Sequence, residues 1–71
     1  MNNDIFIMRA PRQDSYVIVD NSGFPRSVPS WPAAVTVLQI IAMEDSSEIE
    51  AMKRSIDAGQ TRRLRCREIA S

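Results

Sequence analysis

The chain has 71 residues, and its nine basic and nine acidic side chains cancel at neutral pH. A domain of this size buries only about 60% of the surface that its unfolded chain exposes, so it has little stability to spare. A single cysteine makes no internal disulfide, and one cysteine without histidine cannot build the usual zinc site of nitrogen and sulfur ligands. The apolar share of 44% exceeds that of a disordered chain, so we expect one folded domain over residues 1–71.

The composition argues against enzyme chemistry. Histidine, the side chain that titrates near neutral pH, is absent, so neither a Ser–His nor a Cys–His pair can form. The two glycines, Gly23 and Gly59, are too far apart for a glycine-rich phosphate-binding loop. We therefore expect no catalytic residue, no cofactor and no metal site.

The sequence predicts no segment for export or for a membrane. Residues 1–4 lack the basic and apolar regions of a secretory signal. The longest apolar stretch, residues 32–43, is shorter than the ~20 residues that a membrane-spanning helix needs. A lone thiol, Cys66, fits a reducing compartment. We expect a cytoplasmic protein with no membrane partner.

Three β-strands are predicted in the first part of the chain. Residues 4–10 are β-branched and aromatic with apolar side chains on both faces, which is typical of a central strand or of a strand in an interface. Residues 16–19 predict a second strand, and the Asp20–Gly23 segment after it is a strong turn signal. Residues 24–28 predict a short third strand, which Pro25 confines to a sheet edge.

Two helices are predicted next. Ser30 caps the first helix, which extends to about residue 43 and is apolar on nearly every side. One sheet covers one side of such a helix, so its second side needs another helix or another chain, which leaves a homodimer open. The second helix is predicted over residues 48–58, with Ser47 as its cap and Gly59 as its terminator.

Arginines dominate the last segment, where they make up four of the six residues from 62 to 67. A strand period of two predicts two faces, with Arg63, Arg65 and Arg67 on one and Leu64 and Cys66 on the other. We favour a final strand that returns to the sheet, and the alternative is a basic tail over residues 60–71. The expected fold is a small α+β domain, in which an antiparallel sheet (hairpin or meander plus a C-terminal strand) packs against two α-helices.

The predicted partner-binding residues are the C-terminal arginines and the single tryptophan. Guanidinium groups bind carboxylates of a protein or phosphates of a nucleic-acid backbone through a planar fork of donors. An exposed tryptophan is a frequent anchor of protein interfaces. The alternatives are a solvated arginine face that blocks aggregation and a tryptophan that closes the core. The predicted set is Arg62, Arg63, Arg65, Arg67 and Trp31.

The chain resembles, in format, the small phage-encoded proteins that bind a host machine, such as regulators of bacterial RNA polymerase. The shared features are a short chain without catalytic residues, a hairpin, a helix that is apolar on nearly every side, and acidic and basic residues that are segregated along the chain. Five basic and eight acidic residues precede Arg62, whereas four arginines and one glutamate follow from there. The resemblance implies a regulator of transcription elongation or termination in the host bacterial cytoplasm. Anti-CRISPR inhibitors share this format, and a direct RNA- or DNA-binding module is a further alternative.

Overall fold

The structure is a computed structural model that describes residues 4–11 and 14–67. Its four strands form one antiparallel sheet in the order β3-β2-β1-β4, so that β1 to β3 make a meander and β4 returns beside β1. The predicted α+β fold, a meander plus a C-terminal strand packed against helices, is confirmed. The elements in chain order are β1 (Asp4–Arg9), β2 (Tyr16–Val19), β3 (Pro25–Val28), α1 (Trp31–Ile41), α2 (Ser46–Ala51), α3 (Lys53–Asp57) and β4 (Arg62–Arg65).

The turn between β2 and β3 uses the side chains that predicted it. The Asp20 carboxylate accepts a hydrogen bond from the backbone N–H of Ser22 at 2.9 Å. Gly23 has a φ of 84° and donates its N–H to the Asp20 carbonyl at 2.9 Å. A side chain at this φ would incur a steric cost that glycine avoids. The turn leads into β3, where Pro25 lies on the sheet edge as predicted.

Helix α1 begins where the sequence predicts and ends earlier than predicted. The Ser30 hydroxyl accepts a hydrogen bond from the backbone N–H of Ala33 at 3.3 Å, which satisfies one donor of the first turn. The helix ends at Ile41 rather than near residue 43, because Ala42 is extended and bridges to Cys66 beyond β4. A long-range contact therefore ends a helix that its own sequence would continue.

The second predicted helix differs from the expectation at its start and in its middle. It begins earlier because Asp45, rather than Ser47, accepts a hydrogen bond from the backbone N–H of Glu48 at 2.9 Å. A carboxylate at this position satisfies a free donor and suits the positive end of the helix. Met52 divides the segment into α2 and α3. Gly59, with a φ of 96°, terminates it as predicted.

The core lies between the helices and one face of the sheet. Tyr16 and Trp31 meet edge to face there, with ring centroids 5.3 Å apart. On the outer side of α1, Ile40 stays 68% exposed and Met43, just after the helix, stays 55% exposed. The helices therefore cover one sheet face and leave part of the apolar surface of α1 in solvent. The largest fully buried side chains are Ile5, Ile7, Ile18, Leu38, Ile49, Ile56 and Leu64.

Candidate binding surface

The face of the sheet that points away from the helices is apolar at its centre. Phe6 of β1 pairs with Val19 of β2, and Met8 pairs with Val17, so all four side chains share this face. Each is half-buried, whereas Ile7 between Phe6 and Met8 is fully buried on the opposite side. We call this surface, formed by Phe6, Met8, Val17, Val19 and the flanking Asp4, Arg63 and Arg65, the open face.

Two arginines of β4 flank the apolar centre of the open face. Arg63 pairs with Phe6 and Arg65 pairs with Asp4, so both side chains point to the open face. The Arg63 guanidinium lies 3.8 Å from the Asp4 carboxylate, yet its side chain remains 70% exposed. Both arginines can therefore reach a partner that rests on the apolar centre.

The other two predicted arginines lie elsewhere. Arg62 pairs with the buried Ile7, so it is on the helix side, and its guanidinium donates to the Ser55 hydroxyl at 3.2 Å. Arg67 follows the end of β4, and its guanidinium donates to the backbone carbonyls of Gln39 at 3.2 Å and Ala42 at 3.3 Å. The predicted shared face of Arg63, Arg65 and Arg67 is therefore wrong at Arg67, which binds the C-terminal end of α1, where a cation is favoured.

The C-terminal segment is a strand where the structure describes it. Residues 62–65 form β4, as the favoured interpretation predicts, and residues 68–71 lie outside the described part of the chain. Leu64 is 2% exposed and Cys66 packs against the core, so these two side chains do point away from Arg63 and Arg65. The alternation predicted from the sequence thus holds up to Cys66.

Trp31 belongs to the core. It is 8% exposed, and its indole N–H donates to the Glu50 carboxylate at 2.5 Å. This hydrogen bond joins the start of α1 to α2, and the ring closes the core against Tyr16. The placement agrees with the core interpretation of Trp31 and leaves little of the indole for a partner to contact.

Each edge of the sheet carries a feature that hinders the addition of a strand. Beside β4, the backbone N–H of Met43 donates to the Arg65 carbonyl at 2.9 Å, and that of Arg67 donates to the Ile41 carbonyl at 2.6 Å. At the other edge, Pro25 of β3 has no N–H to offer a new strand. Proteins use such devices to stop edge-to-edge pairing. Strand addition at Pro25 or beside Arg65 is therefore disfavoured, whereas the open face has no such obstacle among the described residues.

A cluster of charged groups lies on the helix side, where α3 meets β1 and β2. The Asp57 carboxylate accepts hydrogen bonds from the Tyr16 hydroxyl and the Lys53 ammonium, both at 2.6 Å, and Arg9 lies 3.8 Å away. The Lys53 hydrogen bond, followed by that of Tyr16, lowers the pKa of Asp57. Burial, followed by the hydrogen bond to Asp57, raises the pKa of Tyr16. Both pKa shifts favour an ionised Asp57 and a protonated Tyr16, the states that ordinary pKa values already give at neutral pH.

A cleft of about 560 Å³ opens beside this cluster, between the end of β1 and the end of α3. Its charged lining residues are already paired, because Arg9 binds Asp14 at 2.8 Å and Asp57 is held by Lys53 and Tyr16. The cluster therefore ties α3 to the sheet. Within residues 4–11 and 14–67, no group of three or more metal-binding side chains forms.

The apolar residues of the open face were not among the predicted site residues. A signal for them exists in the sequence, since Phe6 and Met8 alternate with Ile5 and Ile7, and both faces of that strand are apolar. The pattern indicates that something covers each face. It does not distinguish the face that takes the protein's own helices from the face that stays open.

Comparisons with known proteins add no relative. No family model, no curated protein and no solved structure matches this chain. Within the described part of the chain, no helix is long and apolar enough to cross a membrane.

Proposed function

We propose that this chain is a non-catalytic protein that binds a large bacterial protein assembly through its open face. The partner is RNA polymerase, and the chain modulates transcription elongation or termination by that enzyme. The observation that carries the binding role is the apolar centre of the open face, which the protein's own helices leave uncovered. The choice of RNA polymerase is supported by the format that the chain shares with small phage-encoded regulators.

The chemistry of the open face suits a protein partner. Phe6, Met8, Val17 and Val19 are apolar, and burial of such side chains contributes about 25 cal/mol for each Å² removed from water. The arginines at the rim add orientation and selectivity more than affinity. A single-stranded nucleic acid would instead call for several aromatic platforms, and Phe6 is the one aromatic side chain among the paired strand positions of this face.

Binding of the full chain to purified bacterial RNA polymerase tests the proposal. The variant Met8→Thr/Val17→Thr removes apolar surface from the open face and keeps residues that suit a strand. The matched control is Ile40→Thr/Met43→Thr, which removes exposed apolar surface at α1. Circular dichroism melts establish that both variants fold before binding is compared.

We expect the wild type and the control variant to bind polymerase, and the open-face variant to lose most of the affinity. In transcription assays with the same polymerase, the wild type should change read-through at a terminator and the open-face variant should not. Equal binding by the open-face variant would refute the role of this face. A wild type that fails to bind polymerase would refute the choice of partner.

A further inference from the structure

The open face has an asymmetric charge distribution that constrains what can lie on it. Its apolar centre is on β1 and β2, and its two arginines lie on β4 at one side, where the Asp4 carboxylate offsets part of their charge and leaves a net positive charge. On the opposite side, β3 contributes the uncharged Pro25 and Ser27, which pair with Val19 and Val17. A partner aligned with the strands therefore meets positive charge along one flank and no charge along the other.

The geometry points to an amphipathic helix of a partner protein, with carboxylate side chains along one flank, as the occupant of the open face. This inference rests on the proposed docking at that face and specifies the partner segment. The carboxylates meet Arg63 and Arg65, and the apolar stripe of the helix rests on Phe6, Met8 and Val17.

Backbone hydrogen bonding favours a helix over an extended segment. A lone strand laid across an apolar face would bury N–H and C=O groups without partners, which costs as much as lost hydrogen bonds. Such a strand would need a sheet edge, and the edges beside Pro25 and Arg65 are guarded. A helix satisfies its backbone internally, as α1 does on the other face of the same sheet.

The spacing of the arginines matches that of a helix. Arg63 and Arg65 are two residues apart on one strand, a separation of about 7 Å. Side chains at positions i and i+4 of a helix are separated by about 6 Å at their Cβ atoms. Two carboxylates at that spacing can therefore pair with the two guanidinium groups at once.

The area of the open face argues against a second copy of this chain. Four strands about 4.8 Å apart and about five residues long give a face of roughly 300 Å². Two such faces would bury roughly 600 Å² in total, below the about 1,200 Å² of a stable interface, so this face alone would not hold a dimer together, and a helix docked on it forms one part of a larger contact with the assembly. A face of this size fits one helix with a diameter of about 10 Å.

The test uses two synthetic helical peptides and the isotopically labelled full chain. Both peptides carry the same leucine stripe at i, i+3, i+4 and i+7, and one has glutamate along one flank where the other has glutamine. Each is titrated while the backbone amide resonances are followed. A single-stranded oligonucleotide of ten nucleotides is titrated in parallel.

The variant Arg63→Gln/Arg65→Gln removes the two positive charges of the open face, and Arg26→Gln/Arg54→Gln removes two exposed arginines elsewhere. We expect the glutamate peptide to shift amides of β1, β2 and β4. Its affinity should fall about 3- to 20-fold in Arg63→Gln/Arg65→Gln, as expected for the loss of two rim ion pairs, and stay unchanged in Arg26→Gln/Arg54→Gln. The glutamine peptide should bind the wild type more weakly by a similar factor.

Three results would overturn the inference. Equal binding of the two peptides would reject the acidic flank while leaving docking at the open face, and thus the proposed function, intact. Absence of peptide-induced shifts on the open face would reject a helical occupant, even where polymerase binding depends on Met8 and Val17. Stronger, salt-sensitive binding of the oligonucleotide at the same amides would identify a nucleic acid as the occupant.

Discussion

The two faces of the sheet are built from the same strands and differ in what covers them. Ile5 and Ile7 of β1 are fully buried beneath the helices. Phe6 and Met8, their neighbours in the chain, are half-buried on the open face. Side-chain chemistry barely separates the two sets. A strand pattern with two apolar faces therefore predicts two covered surfaces, and we propose that a partner supplies the second cover in this protein.

The largest effect is expected for a charge placed under the covered face. Leu38 of α1 is fully buried, so Leu38→Asp buries an unpaired carboxylate and costs several kcal/mol, on the order of the whole stability of a small domain. Ile40→Asp on the exposed side of the same helix is the control, and we expect it to fold. Circular dichroism melts measure both, and a native-like melt for Leu38→Asp would contradict the assigned core.

Truncation of neighbouring residues of β1 compares the two faces directly. Ile7→Ala leaves a cavity under the helices and should lower the free energy of unfolding by about 2–4 kcal/mol. Met8→Ala leaves no enclosed cavity, so we expect a loss below about 1.5 kcal/mol. Urea unfolding of the two variants measures the difference. Equal losses would mean that the open face is as well packed as the core.

Arg67 and Arg63 are expected to differ in the same way as the two faces, because Arg67 supports the fold and Arg63 lies on the open face. Arg67 holds the C-terminal carbonyls of α1, so Arg67→Ser should lower the free energy of unfolding by about 1 kcal/mol. Arg63→Ser changes an exposed rim residue and should alter stability by less than about 0.5 kcal/mol. The comparison is again made by urea unfolding. Equal stabilities of the two variants would contradict the capping role of Arg67.

The charged cluster on the covered face makes the stability of the fold depend on pH in acid. The pKa of Asp57 is lowered in the folded state, first by Lys53 and then by Tyr16, so its ionisation favours folding. This contribution is fully present above the unfolded pKa of an aspartate, about 3.9, and is lost as the pH falls through the folded pKa.

The variant Asp57→Asn has no carboxylate to titrate, so its stability should fall less steeply than that of the wild type below about pH 4. Asp14→Asn, which removes a carboxylate that is 98% exposed, provides the matched comparison. Urea unfolding across the acid range measures all three proteins. An unchanged slope in Asp57→Asn would show that the cluster does not couple to folding.

Features with a local cause could be predicted from the sequence. The Asp20–Gly23 turn, the Ser30 cap and the Gly59 terminator depend on side chains within a few residues of one another, and all three are observed. The alternation of β4 was likewise sufficient to place Leu64 under the helices.

Features with a distant cause could not be predicted. Helix α1 ends at Ile41 because Ala42 bridges to Cys66, and Arg67 turns to the same helix end, far from it in sequence. Which face of the sheet the helices cover also depends on contacts between residues that are distant in sequence. The helices settle on the side of Ile5 and leave the side of Phe6 uncovered, and strand periodicity alone does not decide between them.

Oxidative footprinting of the methionines tests most directly whether the open face is the recognition surface. Met8 lies on the open face and Met43 lies 55% exposed just after α1, so one experiment reports on both surfaces. The full chain is treated with hydrogen peroxide alone and with saturating RNA polymerase, and oxidation at each methionine is measured by mass spectrometry. We expect polymerase to slow oxidation of Met8 several-fold and to leave that of Met43 unchanged. Protection of Met43 without protection of Met8, or of neither residue, would contradict the account.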